Sequence, residues 1–226
     1  MPNIDPKEFW EKKIIKWEEG RYNKSAKSGP LEILANRSSA SLRFRQKISL
    51  KLLSPFIKGS RIVEIGCGSG LLADRFIDLG AKSYVGFDIA SSAIKKAKLN
   101  KKNQNTSFEV ASVDQLTKID GDIIFSLGLL DWLDDISLKS LFEISSNSNF
   151  FHSISEQRVS LQQQLHRIYV YLAYGHKTGS YTPRYFSIDQ LRKISPIINS
   201  REIQIYRDTR LSFGALISSL PISTHN

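Results

Sequence analysis

Apolar and polar positions recur with two different periods along this chain, and the switches between them mark out its elements. From Arg61 onward, short apolar runs bounded by glycine or polar turns predict strands over 61–65, 82–88, 108–111, 122–127 and 149–154. Between them, apolar residues three and four apart predict helices over 71–79 and 91–99, and a helical turn near 114–116. Strand and helix alternating in this way predict an open parallel sheet with helices on both faces. Towards the C-terminal end the pattern changes. The capping box Ser187-Ile188-Asp189-Gln190 starts a helix reaching Ile194, and the runs 202–206 and 211–217 follow with only Arg207 to Arg210 between them. That link suits a hairpin and is too short for a crossover helix, so the sheet acquires an antiparallel edge.

Two helical stretches precede the first strand. Phe9, Trp10, Ile14 and Trp17 lie at helical spacing among Lys and Glu, with Asp5 as N-cap and Pro6 at the first helical position, which predicts a helix ending at Gly20. After a polar stretch from Arg21 to Pro30, a second helix over 31–57 carries Leu42, Phe44, Ile48, Leu52 and Leu53 on one side. Arg43, Arg45, Lys47 and Lys51 fall mostly on the other, and Pro55 and Gly59 close the helix. The predicted organisation is an N-terminal helical cap, 1–58, and an α/β domain, 59–226, with a long insert at about 156–186.

With 226 residues and 41% hydrophobic content, the chain suffices for one well-buried α/β domain with appendages and is short for two. The single cysteine, Cys67, excludes an internal disulfide and a multi-cysteine metal site, and no metal is expected. Cys67 reads as a small side chain in a tight turn rather than a nucleophile. A polar N-terminus and the lack of any run approaching a membrane span predict a soluble, cytoplasmic protein. The net charge of +10 is unevenly spread: +7 over residues 1–60, −2 over 61–150 and +5 over 151–226. Basic flanks around a mildly acidic centre either present a positive surface to an anionic partner or are simply solvated; such a partner is a phosphorylated small molecule, nucleic acid or an anionic lipid face.

The candidate chemistry concentrates where the first strand ends. In Glu64-x-Gly66-x-Gly68-x-Gly70 an acid on the strand precedes three glycines that free the turn for positive φ and let a ligand approach main-chain N–H groups. A second acid, Asp88, ends the next strand 22 residues after Gly66. There a carboxylate accepts ribose hydroxyls, or caps the helix that begins at Ser91. These residues, with the C-terminal hairpin, resemble motifs I and II of the class I S-adenosylmethionine-dependent methyltransferases over about residues 60–217. The resemblance implies a Rossmann-like, seven-stranded mixed sheet and S-adenosyl-L-methionine as cofactor. It further implies that Gly66, Cys67 and Gly68 line the methionine end, that Glu64 orients it, that Asp88 holds the ribose and that Ile89 packs on the adenine. Leu127 and Gly128 lie where the family's backbone meets the cofactor's amino group. The family often has an acid after the third strand. This chain has Ala111-Ser112-Val113-Asp114 there, so the adenine contact falls to Ser112 and Val113, with Asp114 as substitute.

Methyl transfer from a sulfonium is an in-line displacement, so alignment and exclusion of water come first. A base is needed only where the acceptor must lose a proton. Asp131, after the fourth strand, and His152, on the fifth, are the catalytic candidates. His152 has a suitable unperturbed pKa of about 6.5, or is a hydrogen-bonded core residue; Asp131 equally begins the following helix. The insert is dense in Tyr, His, Arg and Lys, which predicts a helix over 160–174 and then a loop, forming a lid with the N-terminal helices. Tyr22, Trp132, Arg158, Arg167, Tyr174 and Tyr181 are the acceptor-binding candidates, Trp132 also suiting a packing role. The reading this supports is methyl transfer to an O or N atom of a small anionic acceptor, a sugar-nucleotide or other phosphorylated metabolite. Basic flanks with interleaved aromatics give RNA as the alternative acceptor, although Ser126-Leu127-Gly128-Leu129 lacks the Asn/Asp-Pro-Pro-aromatic signature of base-amine methylation. A cofactor-binding subunit without catalysis is the third reading.

Overall fold

The computed structural model describes residues 4–22, 30–158, 163–164, 167–168 and 181–222, with backbone alone for 21–22 and 30–38. Two helices, α1 (Pro6–Tyr22) and α2 (Pro30–Ile57), come first. Then follow β1 (Arg61–Ile65), α3 (Ala73–Asp78), β2 (Ser83–Asp88), α4 (Ser91–Asn100), β3 (Thr106–Val110), β4 (Ile123–Ser126), α5 (Asp135–Ile144) and β5 (Asn149–Ser155). Beyond the insert lie α6 (Ile188–Ile194), α7 (Pro196–Ser200), β6 (Gln204–Arg207) and β7 (Gly214–Ser218).

The strands form one seven-stranded sheet in the order β3-β2-β1-β4-β5-β7-β6. β1 to β5 pair in parallel, and β7 lies antiparallel between β5 and β6. The expected mixed sheet with an antiparallel end is what the chain forms. Because successive strand residues point to opposite faces, each buried strand feeds two cores. Ile62, Tyr84, Ile123, Phe125 and Phe151 meet Leu52, Leu53 and Ile57 of α2 and Phe76 of α3 on one face. Val63, Ile124, Phe150 and Ile217 meet Leu138, Leu141 and Phe142 of α5 on the other. Full burial of each such side chain stabilises by roughly 1.5–3 kcal/mol, which is why runs rich in Ile, Val and Phe settle in the centre. The last turns of α2 belong to the same core as β1.

Three local expectations change. The crossover from β4 to β5 is α5, which the apolar pattern did not single out; Asp134 caps it by accepting from Ser137 N at 2.8 Å. α3 starts at Ala73 rather than Leu71, after a run of turns through Gly70. The hairpin strands are 204–207 and 214–218 rather than 202–206 and 211–217. In place of a four-residue link, Asp208 accepts from Arg210 N and a 3₁₀ turn, Thr209–Leu211, sends Leu211 into the core below α2. Ser212 then takes φ +62° to bring the chain back into the sheet. Strand order reverses at β1, with β2 on one side and β4 on the other, which opens a crevice at the carboxyl ends of these strands.

Candidate active site

A cleft of about 1920 Å³ fills that crevice, walled by the glycine turn, the ends of β2 and β4, and helices α1 and α2. Gly66, Gly68 and Gly70 take φ of +75°, +53° and +73°, the left-handed region in which a side chain costs energy. Gly66 N and Cys67 N both donate to Phe87 O, at 2.7 and 3.0 Å, and so tie the turn to the end of β2. A Cβ on Gly70 would fall 2.6 Å from the Phe108 ring, and one on Gly68 would collide with Glu18 Oε1. The backbone is therefore held in one shape.

Carboxylates crowd this turn. Asp88, buried, accepts from Gly68 N at 2.8 Å and Ala90 N at 2.9 Å; burial pushes its carboxyl up while those N–H groups oppose the rise. The cap of α4 comes instead from α1, where Glu11 accepts from Ser92 N at 3.0 Å. Glu64 is fully enclosed on β1 and accepts from the Tyr84 hydroxyl. Burial pushes its carboxyl up to about 8, against the Tyr84 hydrogen bond, and the charges of Glu18 and Asp88 add to the rise. Glu18, on α1, is 6% exposed; one oxygen accepts from Ser69 N at 3.0 Å and the other is buried without a partner. The Cys67 thiol lies against Gly86, whose lack of a Cβ makes room for it, and burial pushes its pKa up. It is a small packing group in the turn.

Ile89, Ser112, Val113, Asp114, Leu127 and Gly128 line the same cleft as Glu64 to Gly68 and Asp88, so the structure brings every expected cofactor-side residue to one place. Asp114 accepts from Ser137 Oγ at 3.1 Å, which engages one oxygen with α5. A glycine turn held in one shape, a buried acid at the end of β2 and orphaned polar atoms on Glu18 and Ser69 fit a nucleoside-bearing ligand with a cationic end.

On the acceptor side the expectations divide. Asp131, Trp132 and Tyr181 line the cleft. Asp131 is buried in the 3₁₀ turn Leu130–Trp132 and accepts from Ser155 N at 2.7 Å and Ser155 Oγ at 2.8 Å, so both oxygens are occupied in pinning that turn to β5. Trp132 is at once wall and packing residue: its ring meets Trp10 at 5.0 Å and Tyr181 at 5.3 Å, and Trp10 Nε1 donates to the Tyr181 hydroxyl at 3.0 Å. His152 does not reach the cleft. Its ring is fully buried, stacks on Phe150 at 5.5 Å, and its Nδ1 lies 2.8 Å from Ser126 Oγ; burial drops its pKa to about 3, leaving it neutral at physiological pH. Of its two readings, the core residue is the one the structure displays, and a base in the cleft is excluded by its position. Arg158 lies outside the cleft as well, its guanidinium held by Glu156 and Ser212 O, and Arg167 lies over the Tyr185 ring. Tyr174 and most of the predicted lid helix lie outside the described residues, as does the Tyr22 side chain.

Residues 62–148, less than half of the chain, match the family model described as a methyltransferase domain. Over these residues the chain is similar to a methyltransferase domain. The chain is 31% identical over 100 residues to a ribosomal protein L11 methyltransferase of Thermotoga neapolitana, covering 44% of this chain and 37% of that protein. It is 29% identical over 143 residues to a ubiquinone biosynthesis O-methyltransferase of Rhodopseudomonas palustris, covering 60% and 54%. The chain thus matches about half or less of the length of these curated relatives. Among solved structures it resembles magnesium protoporphyrin IX methyltransferase from Synechocystis with bound SAH, with a TM-score of 0.70 and 15% identity over 94% of this chain and 96% of the other.

The matched segment spans β1 to the approach to β5 and includes the residues expected on the cofactor side, from Glu64 to Leu127. Among the cleft residues outside it, Glu18 and Arg45 were missed in the sequence. Glu18 stands four residues after Ile14 and eight after Trp10, an acid on an apolar helix face, and that was its available signal. Arg45 was expected mostly opposite the apolar side of the second helix. It lies three residues before Ile48 and seven before Leu52, so the helix turns it inward onto the cleft.

Proposed function

We propose that this chain transfers a methyl group from S-adenosyl-L-methionine to an O or N atom of a small anionic acceptor whose charged group is held by Arg45. The bound cofactor supplies an electrophilic methyl carried on a sulfonium. Gly66, Cys67 and Gly68 line its methionine end, with Glu64 orienting that end, Asp88 accepts from the ribose, and Ile89, Ser112 and Val113 flank the adenine. Leu127 and Gly128, at the end of β4, separate this half of the cleft from the half walled by α2 and Trp132. Trp10, Trp132 and Tyr181 exclude water there and offer flat apolar surface to the body of an acceptor.

Arg45 carries the choice of acceptor class. Its guanidinium lies over Gly128, 2.9 Å from where a Cβ would stand, in the left-handed turn at φ +78°. Its Nε is buried with no hydrogen-bond partner, and among the described residues Arg45 enters no ion pair. Asp131 feels its charge, yet both Asp131 oxygens are taken by Ser155. A cation so placed is an anchor for a carboxylate or phosphate. The name of the R. palustris relatives supports oxygen as the receiving atom. RNA is the less favoured acceptor, because Ser126-Leu127-Gly128-Leu129 lacks the Asn/Asp-Pro-Pro-aromatic signature of base-amine methylation and the aromatic wall of Trp10, Trp132 and Tyr181 suits a small molecule.

The test is transfer of labelled methyl to fractionated metabolite and RNA pools, with Arg45→Ala beside the wild type. Label is expected in an anionic metabolite fraction. Arg45→Ala should raise the acceptor KM about 10- to 100-fold, the scale of one charge-assisted contact. Label in RNA alone, or an Arg45→Ala variant with wild-type KM, would contradict the reading. Cofactor binding with no transfer to either pool would instead indicate a non-catalytic subunit.

A further inference from the structure

We infer that Glu18 of α1 receives the ammonium of the cofactor's methionine end, so that α1 is part of the cofactor site and closes over the bound ligand. This rests on the proposed cofactor and adds to it a residue that the matched methyltransferase segment does not contain. Three carboxylates face the glycine turn. Tyr84 serves Glu64, and the N–H groups of Gly68 and Ala90 serve Asp88. Glu18 alone keeps a buried oxygen with no donor, although the residue is only 6% exposed. The hydroxyl of Ser69, whose N–H donates to the other Glu18 oxygen, is also buried without a partner. Two orphaned polar atoms at one point call for a polar ligand, and an unpaired carboxylate among other acids calls for a cation rich in donors. A primary ammonium meets both needs.

The remaining contacts of α1 hold Glu18 at the turn. Glu11 caps α4 through Ser92 N, Glu19 pairs with Lys96 at 2.9 Å across partly exposed surface, and Trp10 meets Tyr181. Phe9, buried, packs on Trp132 beside them, so α1 is seated on the cleft with Glu18 facing the turn. Burial pushes the Glu18 carboxyl up, and a cation beside it relieves that cost.

The test compares binding of S-adenosylmethionine, S-adenosylhomocysteine and 5′-methylthioadenosine by titration calorimetry. The first two carry the methionine ammonium; the third keeps the nucleoside and lacks it. Glu18→Gln is expected to weaken the first two at least tenfold and to leave methylthioadenosine within about twofold, which also shows the variant is folded. Asp88→Ala, facing the shared ribose, is expected to weaken all three. Equal weakening of all three ligands by Glu18→Gln overturns the inference, because it marks a structural role for α1. Tighter binding of S-adenosylmethionine by Glu18→Gln also overturns it, because the carboxylate would then be competing for the site. Wild-type protein that binds none of the three overturns the cofactor reading itself, an outcome distinct from either.

Discussion

Replacing Glu64 by Gln should remove a pH dependence of stability that its burial imposes. The carboxyl is fully enclosed on β1 and pushed up to about 8 from an ordinary 4.5, chiefly by burial, with Tyr84 donating to it. A folded-state pKa above the unfolded one favours the native state while the group is protonated. That advantage is complete below the unfolded value near 4.5 and is lost as pH rises through 8. Each unit of difference is worth 1.36 kcal/mol, so the wild type loses roughly 5 kcal/mol relative to Glu64→Gln across the whole window, about half of it between pH 5 and pH 7. Gln keeps an oxygen for the Tyr84 hydroxyl and never ionises, so the difference between the two proteins isolates this group. Urea unfolding of both at pH 5, 6, 7 and 8 measures it. The gap should widen steadily in favour of Glu64→Gln, and saturating S-adenosylmethionine should flatten the slope by favouring the ionised acid. A gap that stays constant from pH 5 to pH 8 would refute the reasoning, because it would mean that Glu64 is ionised and solvated throughout.

Two further outcomes follow from the turn and from β5. Gly70→Ala puts a side chain at φ +73° and 2.6 Å from the Phe108 ring, so it should destabilise by about 2–4 kcal/mol; unfolding within 0.5 kcal/mol of wild type would show that the turn relaxes freely. His152→Phe strands the Ser126 hydroxyl in the core and should cost about 1–3 kcal/mol by thermal or urea unfolding. Because the ring is outside the cleft, the same variant should keep wild-type cofactor affinity and an unchanged pH–rate profile, and loss of a step near pH 6.5 would restore His152 as a base.

The sheet was legible in the sequence because β1, β4 and β5 are compact runs rich in Ile, Val and Phe bounded by turns, a pattern that burial on both faces enforces, while β2 and β3 alternate buried and more exposed positions. The proposed cofactor half was legible because Glu64 to Gly70 is contiguous and Asp88 ends the adjacent strand, so local spacing carries the geometry. The acceptor half was not, because it is assembled from α1, α2 and the turn after β4, whose juxtaposition no local period encodes. Periodicity placed Arg45 among solvated cations, whereas the docking of α2 against β1 turns it to the cleft. The His152 environment is likewise tertiary: only the packing of α5 on β5 decides that Phe142 and Phe150 enclose its ring. The hairpin boundaries failed because Leu211 is apolar enough for a strand, yet Asp208 captures Arg210 and a 3₁₀ turn sends Leu211 into the core.

Titration of S-adenosylmethionine into the wild type and Asp88→Ala is the most direct measurement of whether the glycine turn and Asp88 form a cofactor site. One equivalent should bind to the wild type, and Asp88→Ala should lose at least tenfold in affinity, since the acid that anchors Gly68 and is proposed to hold the ribose is gone. No binding by the wild type, or equal binding by both proteins, would contradict it.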